Sequence, residues 1–386
     1  MAEHAETGVE EEIPSLTERL TEIGWGHRVK VACSACGQKL DMTEIAPFAA
    51  VCCPNCSARV VRPVYFGDYV LEDTGRRRDR LTTVFRAYDS KLGRYVSLKI
   101  LNPEYSASAG ARSRFTRIAR LLAAVNHPAI LSIYNCGELY GLAYIVSQYA
   151  EYGTLPEFLA LQKEPLPTEM VLGWCCDLAS GLQKASASGL SHGEIEPANL
   201  LVDSGQRIRL TGFGLAELMR EAGFQGSRVY AAPEKNTEGT IHEKSDVYSL
   251  GVLLCRLLAG REPSGPGVGK RETPGILSKI GRRAGREVAE LVGRMLSASP
   301  EERPDFPGIL ETLSPVLAGL EQERRTRKQK ISSRLQYHGN GAGTSPGKNG
   351  IFSRERQRGR RFRLALLLAA VAVVAAAALL LLIRRG

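Results

Sequence analysis

At 386 residues the chain is long enough for one large core with accessory pieces. Its hydrophobic fraction of 44% and charged fraction of 24% are those of a globular protein, so the formal charge of +10 bears on function only where it is concentrated. From Glu321 to Arg363 there are thirteen Lys or Arg against three Glu, a local +10, so the rest of the chain is close to neutral overall and a basic partner is met by this segment rather than by the fold.

Residues 1–27 form an acidic segment with seven Glu among the first 22 and nothing apolar that recurs before Ile13. They lack the basic and apolar stretches of a secretory signal, so export by a cleaved leader is not expected. Ser15 and Glu18 have capping-box spacing, and Leu16, Leu20 and Ile23 make one apolar stripe, which predicts a short helix packing on the module that follows.

Residues 28–63 read as short strands around two cysteine knuckles. Cys33-Ser-Ala-Cys36 and Cys53-Pro-Asn-Cys56 are sixteen residues apart, the spacing of a four-thiolate zinc site, and four ligands close the tetrahedron, so the expected zinc is structural. Nine cysteines, an odd number, in a chain without a leader argue for reduced thiols and metal ligation rather than a disulfide framework. Cys52 adjoins the second knuckle and reads as a spectator thiol; Cys136, Cys175, Cys176 and Cys255 read as small core residues. The stretch resembles the small zinc ribbons found at the start of many bacterial proteins.

Strand patterns dominate from Tyr65 to Leu101, and helical patterns follow at 107–125, 168–188, 244–259 and 286–297. The Pro- and Gly-rich run 261–275 reads as a surface loop and 338–350 as a flexible linker. The expected class is α+β, a small β-rich lobe before a larger helical one.

With Val96-Ser-Leu-Lys99, Ser191-His-Gly-Glu-Ile-Glu-Pro-Ala-Asn199, Gly212-Phe-Gly214 and Ala232-Pro-Glu234 in that order, residues 66–320 resemble a protein kinase, most closely the bacterial Ser/Thr type. Val96-Ser-Leu-Lys99 stands where that family has its V-A-I-K strand, and Asn126-His-Pro128 resembles the turn after the regulatory helix. Tyr144-Ile-Val-Ser-Gln-Tyr149 is similar to the hinge and places Ser147 at the back of the nucleotide pocket. Ser191-His-Gly-Glu-Ile-Glu-Pro-Ala-Asn199 resembles the catalytic loop, Gly212-Phe-Gly214 the metal-binding motif, and Ala232-Pro-Glu234 the end of the activation segment. Asp246 and Arg303 match scaffold residues of the large lobe.

The resemblance implies a two-lobed fold whose phosphoryl-transfer groups are degenerate. Kinase catalysis rests on a Lys–Glu pair, Mg²⁺ ligands and a carboxylate near the accepting hydroxyl. Lys99 is kept, but its partner position on the regulatory helix is Ile118, and no Asp or Glu occurs from Tyr105 to Gly137. The metal-binding Asp is Gly212, which leaves Asn199 as the remaining ligand for ATP-bound Mg²⁺. Glu194 takes the place of the catalytic Asp, and Glu196 that of the phosphate-contacting Lys. Two acids there oppose a polyphosphate by several kcal/mol, given about 4 kcal/mol for unit charges at 4 Å and an effective dielectric near 20. The glycine-rich loop is replaced by an arginine-rich run from Gly75 to Val84. A non-catalytic scaffold is therefore expected, with a divergent ATP-using kinase built on Glu194, Lys99 and Asn199 as the alternative.

Residues 321–363 read as a basic flexible linker, and Leu364–Ile383 is twenty residues of Leu, Ala, Val and Ile, about 30 Å as a helix and a match to a bilayer core. Six Arg precede it within eleven residues and two follow, which places the kinase-like part in the cytoplasm by the positive-inside rule. The expected partners are a cytoplasmic protein and, for the basic segment beside the span, anionic lipid headgroups in preference to nucleic acid.

Overall fold

The computed structural model describes residues 15–24, 28–72, 77–78, 81–223, 227–238, 243–261 and 273–337. The proposed span and the 338–350 linker lie outside these, as do residues 262–272 of the 261–275 loop, whose end at Thr273 already begins a helix. Among the described residues no helix is long and apolar enough to cross a membrane.

Thirteen strands run in chain order: β1 Lys30–Ala32, β2 Lys39–Asp41, β3 Ala50–Cys52, β4 Arg59–Val61, β5 Val64–Phe66, β6 Tyr69–Leu71, β7 Arg77–Arg78, β8 Thr82–Asp89, β9 Arg94–Leu101, β10 Ile133–Leu139, β11 Leu142–Gln148, β12 Leu200–Val202 and β13 Ile208–Leu210. The helices are α1 Leu16–Gly24, α2 Pro103–Ser106, α3 Ala109–Ala124, α4 Leu155–Ala160, α5 Thr168–Ser186, α6 Leu215–Glu221, α7 Pro233–Glu238, α8 Glu243–Leu254, α9 Thr273–Ala284, α10 Arg286–Met295 and α11 Phe306–Tyr337. Residues to Glu321 form one compact unit. Those from Gln322 form a second, in which the helix continues to Tyr337 through the start of the segment expected to be flexible.

An antiparallel sheet in the order β10-β11-β9-β8-β6-β5, with β7 also on β8, makes the small lobe. Alternation along β9 sends Val96, Leu98 and Ile100 to one face, while Ser97 and Lys99 line a cleft on the other. The first face carries Phe66, Leu71, Phe85, Ala87 and Val146 in one apolar cluster with Leu16 and Leu20 of α1. Phe48, from the cysteine-rich segment, stacks on Phe85 at 6.3 Å between ring centroids. This face of the sheet is thus covered, which explains why apolar residues fill that side of β9 without exception. The capping box is present: Ser15 Oγ accepts from the Glu18 N–H at 3.3 Å, and Glu18 Oε2 accepts from the Ser15 N–H at 2.7 Å. Helix α1 packs on this sheet, in a cluster that Phe48 of the cysteine-rich module joins at its edge.

The large lobe is built on α5, α8, α9 and α10, whose apolar faces merge with β12 and β13 into the largest core cluster. Arg303 and Glu234 lock its base. Both guanidinium ends donate to the carboxylate, at 2.6 and 2.8 Å, and Ser245 Oγ donates to the same group at 2.8 Å. Burial alone would raise the Glu234 pKa, and the bonds from Arg303 hold it below its ordinary value.

Candidate functional site

The cysteine-rich module is two hairpins, β1–β2 and β3–β4, each preceded or closed by the same turn. Gly37 N–H donates to Cys33 O and Ser57 N–H to Cys53 O, both at 2.8 Å; Gly37 has φ +76° and Ser57 φ +60°, so each knuckle needs a left-handed residue just after its second cysteine. All four Sγ atoms lie within 4.8 Å of one another, with Cys33 to Cys56 and Cys36 to Cys53 at 3.6 Å. A zinc tetrahedron with bonds of about 2.3 Å needs sulfurs about 3.8 Å apart, so this thiol set fits the metal. The Asn55 side chain bonds Cys36 and draws its thiol down to about 6, while Cys56 is pushed up to about 12. Crowded sulfurs resist ionising together, and a bound dication removes that conflict. Only five buried residues, Val29, Cys33, Met42, Cys53 and Val60, form the module's own core. Cys175 and Cys255 are buried in the large-lobe core, away from these thiols.

Between the lobes lie two adjoining cavities with empty volumes of about 610 and 500 Å³. The first is lined by Val84, Ser97, Ala150, Leu201 and others, the second by Phe115, Ile118, Ile145 and Phe213; Lys99, Ser147 and Thr211 border both. Lys99 and Ser147 therefore stand at one cleft, as the motif order predicts. Ile118 of α3 faces the same space, and its side-chain carbons are so close to Gly214 that a Cβ there would meet them at 2.8 Å. The helix position opposite Lys99 is thus apolar in place as well as in sequence.

The segment after Gly212-Phe-Gly214 is not a loop. It forms α6, whose Leu218 is buried against Phe115 of α3, Leu81 and Leu101, with Leu215 and Met219 at the edge of the same cluster. Arg114 of α3 pairs with Glu221 of α6.

The catalytic-loop equivalent is tied from below by Asp246, which accepts from the His192 N–H at 2.7 Å and the Gly193 N–H at 2.8 Å. The buried His192 ring lies edge-on to Phe213 at 4.6 Å and reaches Thr211 O through Nε2 at 2.9 Å. Its Nδ1 accepts from the Glu194 N–H at 3.1 Å, which makes Nε2 the protonated nitrogen. Burial pushes His192 down to about 4 and Asp246 up to about 6.

Asn199 Nδ2 donates to Glu194 O at 2.8 Å. Gly212 has φ +95°, and a Cβ on it would lie 3.2 Å from Asn199 Oδ1. An Asp is therefore absent and also poorly accommodated, because its backbone would be strained and its side chain would press on Asn199. The Glu194 carboxylate is 9% exposed and accepts from Lys235 Nζ at 2.6 Å. With one neutral amide, no carboxylate at 212 and Glu194 already paired, these residues do not fit Mg²⁺, which prefers several anionic or water oxygens in an octahedron. The Glu194 contact also changes the electrostatic expectation, since one of the two acids beside the cleft is neutralised. Lys235 follows Ala-Pro-Glu directly in the sequence, and nothing in the motif order points from it to Glu194, forty-one residues earlier.

Comparison with known proteins agrees with this geometry. The chain is 32% identical over 198 residues to the probable serine/threonine-protein kinase SCO3848 of Streptomyces coelicolor, covering 48% of this chain and 29% of that protein. It is 32% identical over 188 residues to the serine/threonine-protein kinase PknL of Mycobacterium tuberculosis, 47% of each. To PrkC of Bacillus subtilis it is 34% identical over 189 residues, 47% of this chain and 29% of that one. The chain thus spans less than half the length of these curated relatives. Among solved structures, the PpkA-294 apo form superposes with a TM-score of 0.54 at 24% identity, over 64% of this chain and 97% of that one. The PknI kinase domain of Mycobacterium tuberculosis gives 0.53 at 24%, over 66% and 98%. Those two establish the fold. With residues 80–313, more than half of its length, matching the protein tyrosine and serine/threonine kinase family, the chain belongs to that family.

Proposed function

We propose that this chain is a non-catalytic member of its family, a pseudokinase that acts as a scaffold or regulator at the cytoplasmic face of a membrane. The observation that carries the reading is at Gly212: where a metal-binding carboxylate belongs there is a glycine at φ +95° with Asn199 Oδ1 against it. Ile118 opposite Lys99 and the paired state of Glu194 support it from two other sides. The cysteine module is a structural zinc ribbon in this reading, and the membrane anchor is Leu364–Ile383.

A divergent serine/threonine kinase is the second reading. It is favoured by the names of the relatives and by a cleft whose apolar walls, Val84, Ala150 and Leu201, leave about 610 Å³ open. The deciding experiment incubates the purified full chain with labelled ATP, Mg²⁺ or Mn²⁺ and generic acceptors, beside Lys99→Ala to expose contaminating kinases. No Lys99-dependent transfer is expected, nor any in the Gly212→Asp, Glu194→Asp double variant, because groups that act as a unit in catalysis are non-additive and Ile118 and Glu196 remain. Turnover of about 1 s⁻¹ or more that Lys99→Ala abolishes would establish the kinase reading instead.

A further inference from the structure

We infer that Lys235 is the built-in cation of the degenerate catalytic loop: its ammonium holds the Glu194 carboxylate and closes the position in front of it to an accepting hydroxyl or a divalent metal ion. This deepens the non-catalytic reading and rests on it. Lys235 Nζ donates to Glu194 Oε1 at 2.6 Å and also to Gly193 O, so one ammonium bridges a side chain and the backbone of adjacent loop residues. Both partners are largely withdrawn from water, with side-chain exposures of 19% for Lys235 and 9% for Glu194. Charge-assisted bonds in such surroundings are short and directional, and removing one partner strands the other.

The pair is held on firm supports at both ends. Lys235 sits next to Glu234, whose bidentate bond to Arg303 anchors the start of α7 in the large lobe, and the Lys235 N–H donates to Ala232 O at 3.1 Å. Glu194 is fixed by its own N–H to His192 Nδ1 and by its carbonyl, which accepts from Asn199. The positive charge also reaches deeper. Beside burial, which lowers His192 and raises Asp246, the Lys235 charge adds to the first shift and works against the second. A single lysine thus answers the Glu194 carboxylate, from a different element of the large lobe.

The test compares the full-length wild type with Lys235→Gln, Lys235→Arg, Glu194→Gln and the Lys235→Gln, Glu194→Gln double variant. Two probes are used: Mn²⁺ titration read by the signal of the free ion, and amine acylation of Lys235 followed by peptide mass spectrometry. Lys235→Gln is expected to gain a Mn²⁺ site several-fold tighter than anything in the wild type, absent from the double variant; Lys235→Arg should behave as wild type. Lys235 should be acylated several-fold faster in Glu194→Gln than in the wild type, a measurement that stands even if Lys235→Gln fails to fold. Superimposable Mn²⁺ isotherms for folded wild type and Lys235→Gln, or equal acylation rates in wild type and Glu194→Gln, would overturn the inference. Neither readout involves phosphoryl transfer, so the inference and the non-catalytic reading can fail separately.

Discussion

Two buried titratable groups under the catalytic loop respond to acid in opposite senses, and the signs follow from where each is held. His192 is pushed down to about 4 by burial, so the folded state keeps it neutral while the unfolded chain takes up a proton near pH 6.5. Its contribution to stability is present above that value and is lost as pH falls through the folded pKa. Asp246, raised to about 6 by burial against the bonds from His192 and Gly193, contributes stability below its unfolded value that is lost as pH rises through 6. The two slopes oppose each other between about pH 4 and 6. Replacing His192 with Gln removes one of them, so the destabilisation it causes, measured by urea unfolding, should shrink on going from pH 7 to pH 4.5 by on the order of 2 kcal/mol. A gap that stays constant or widens would mean the imidazole is protonated in the fold. At this scale the sequence told most about losses, because a missing Asp at Gly212 or a missing Glu at Ile118 shows in a motif. It told little about compensation: Lys235 and Glu194 are forty-one residues apart, and only the fold brings them into contact.

The helix before the ribbon and the ribbon itself lie outside the family match, as β5 and β6 do, and still belong to the small lobe's packing. Leu20 is fully buried among Val64, Phe66, Phe85 and Leu98, so Leu20→Ala should lower the unfolding free energy of the compact unit by about 2–4 kcal/mol, through lost burial and the cavity left behind. A change below about 0.5 kcal/mol, the scale of a surface substitution, would mean that α1 does not dock in solution. For the ribbon, five buried residues are too few to order thirty-odd residues unaided, and a metal bound by the four thiols would supply the remainder. Elemental analysis should find one zinc per chain, and Cys53→Ser should lose it. Metal-free protein with four freely alkylated thiols and its ribbon hairpins intact would refute the site. The knuckles were legible because their spacing is local, and α1 because its cap and stripe are local. Where α1 docks was not, since the face it covers is made by strands forty and more residues later. Helix α6 was missed for a related reason. Its seven residues look like activation loop by motif order, and only packing of Leu218 beneath Phe115 makes a helix the better state there.

For the whole molecule, orientation at a membrane follows from where the charge is placed. The compact unit carries little net charge, because the local +10 of residues 321–363 accounts for the formal +10 of the chain. Attraction to an anionic surface therefore falls on that segment, at about 1 kcal/mol per basic side chain close to the headgroups. The apolar run Leu364–Ile383 follows directly, and twelve of its twenty residues are Leu, Ile or Val, each favouring insertion by roughly 0.3–0.6 kcal/mol at the helix centre. In the proposed reading, six Arg on the near side against Arg384 and Arg385 on the far side would hold the near flank in the cytoplasm, and the thiols of the ribbon would suit the same side. In intact cells, external protease should leave the kinase-like unit whole. A cysteine introduced at Gly386 should react with a membrane-impermeant maleimide, and one introduced at Ser332 should not. Moving the bias tests the cause: replacing the six Arg at 354, 356, 358, 360, 361 and 363 with Gln leaves Arg384 and Arg385 dominant, and a fraction of the chains should then label at 332. Labelling at 332 in the unaltered chain would reverse the orientation. Recovery of the protein in the soluble fraction without detergent would remove the anchor, and with it the membrane part of the proposed function.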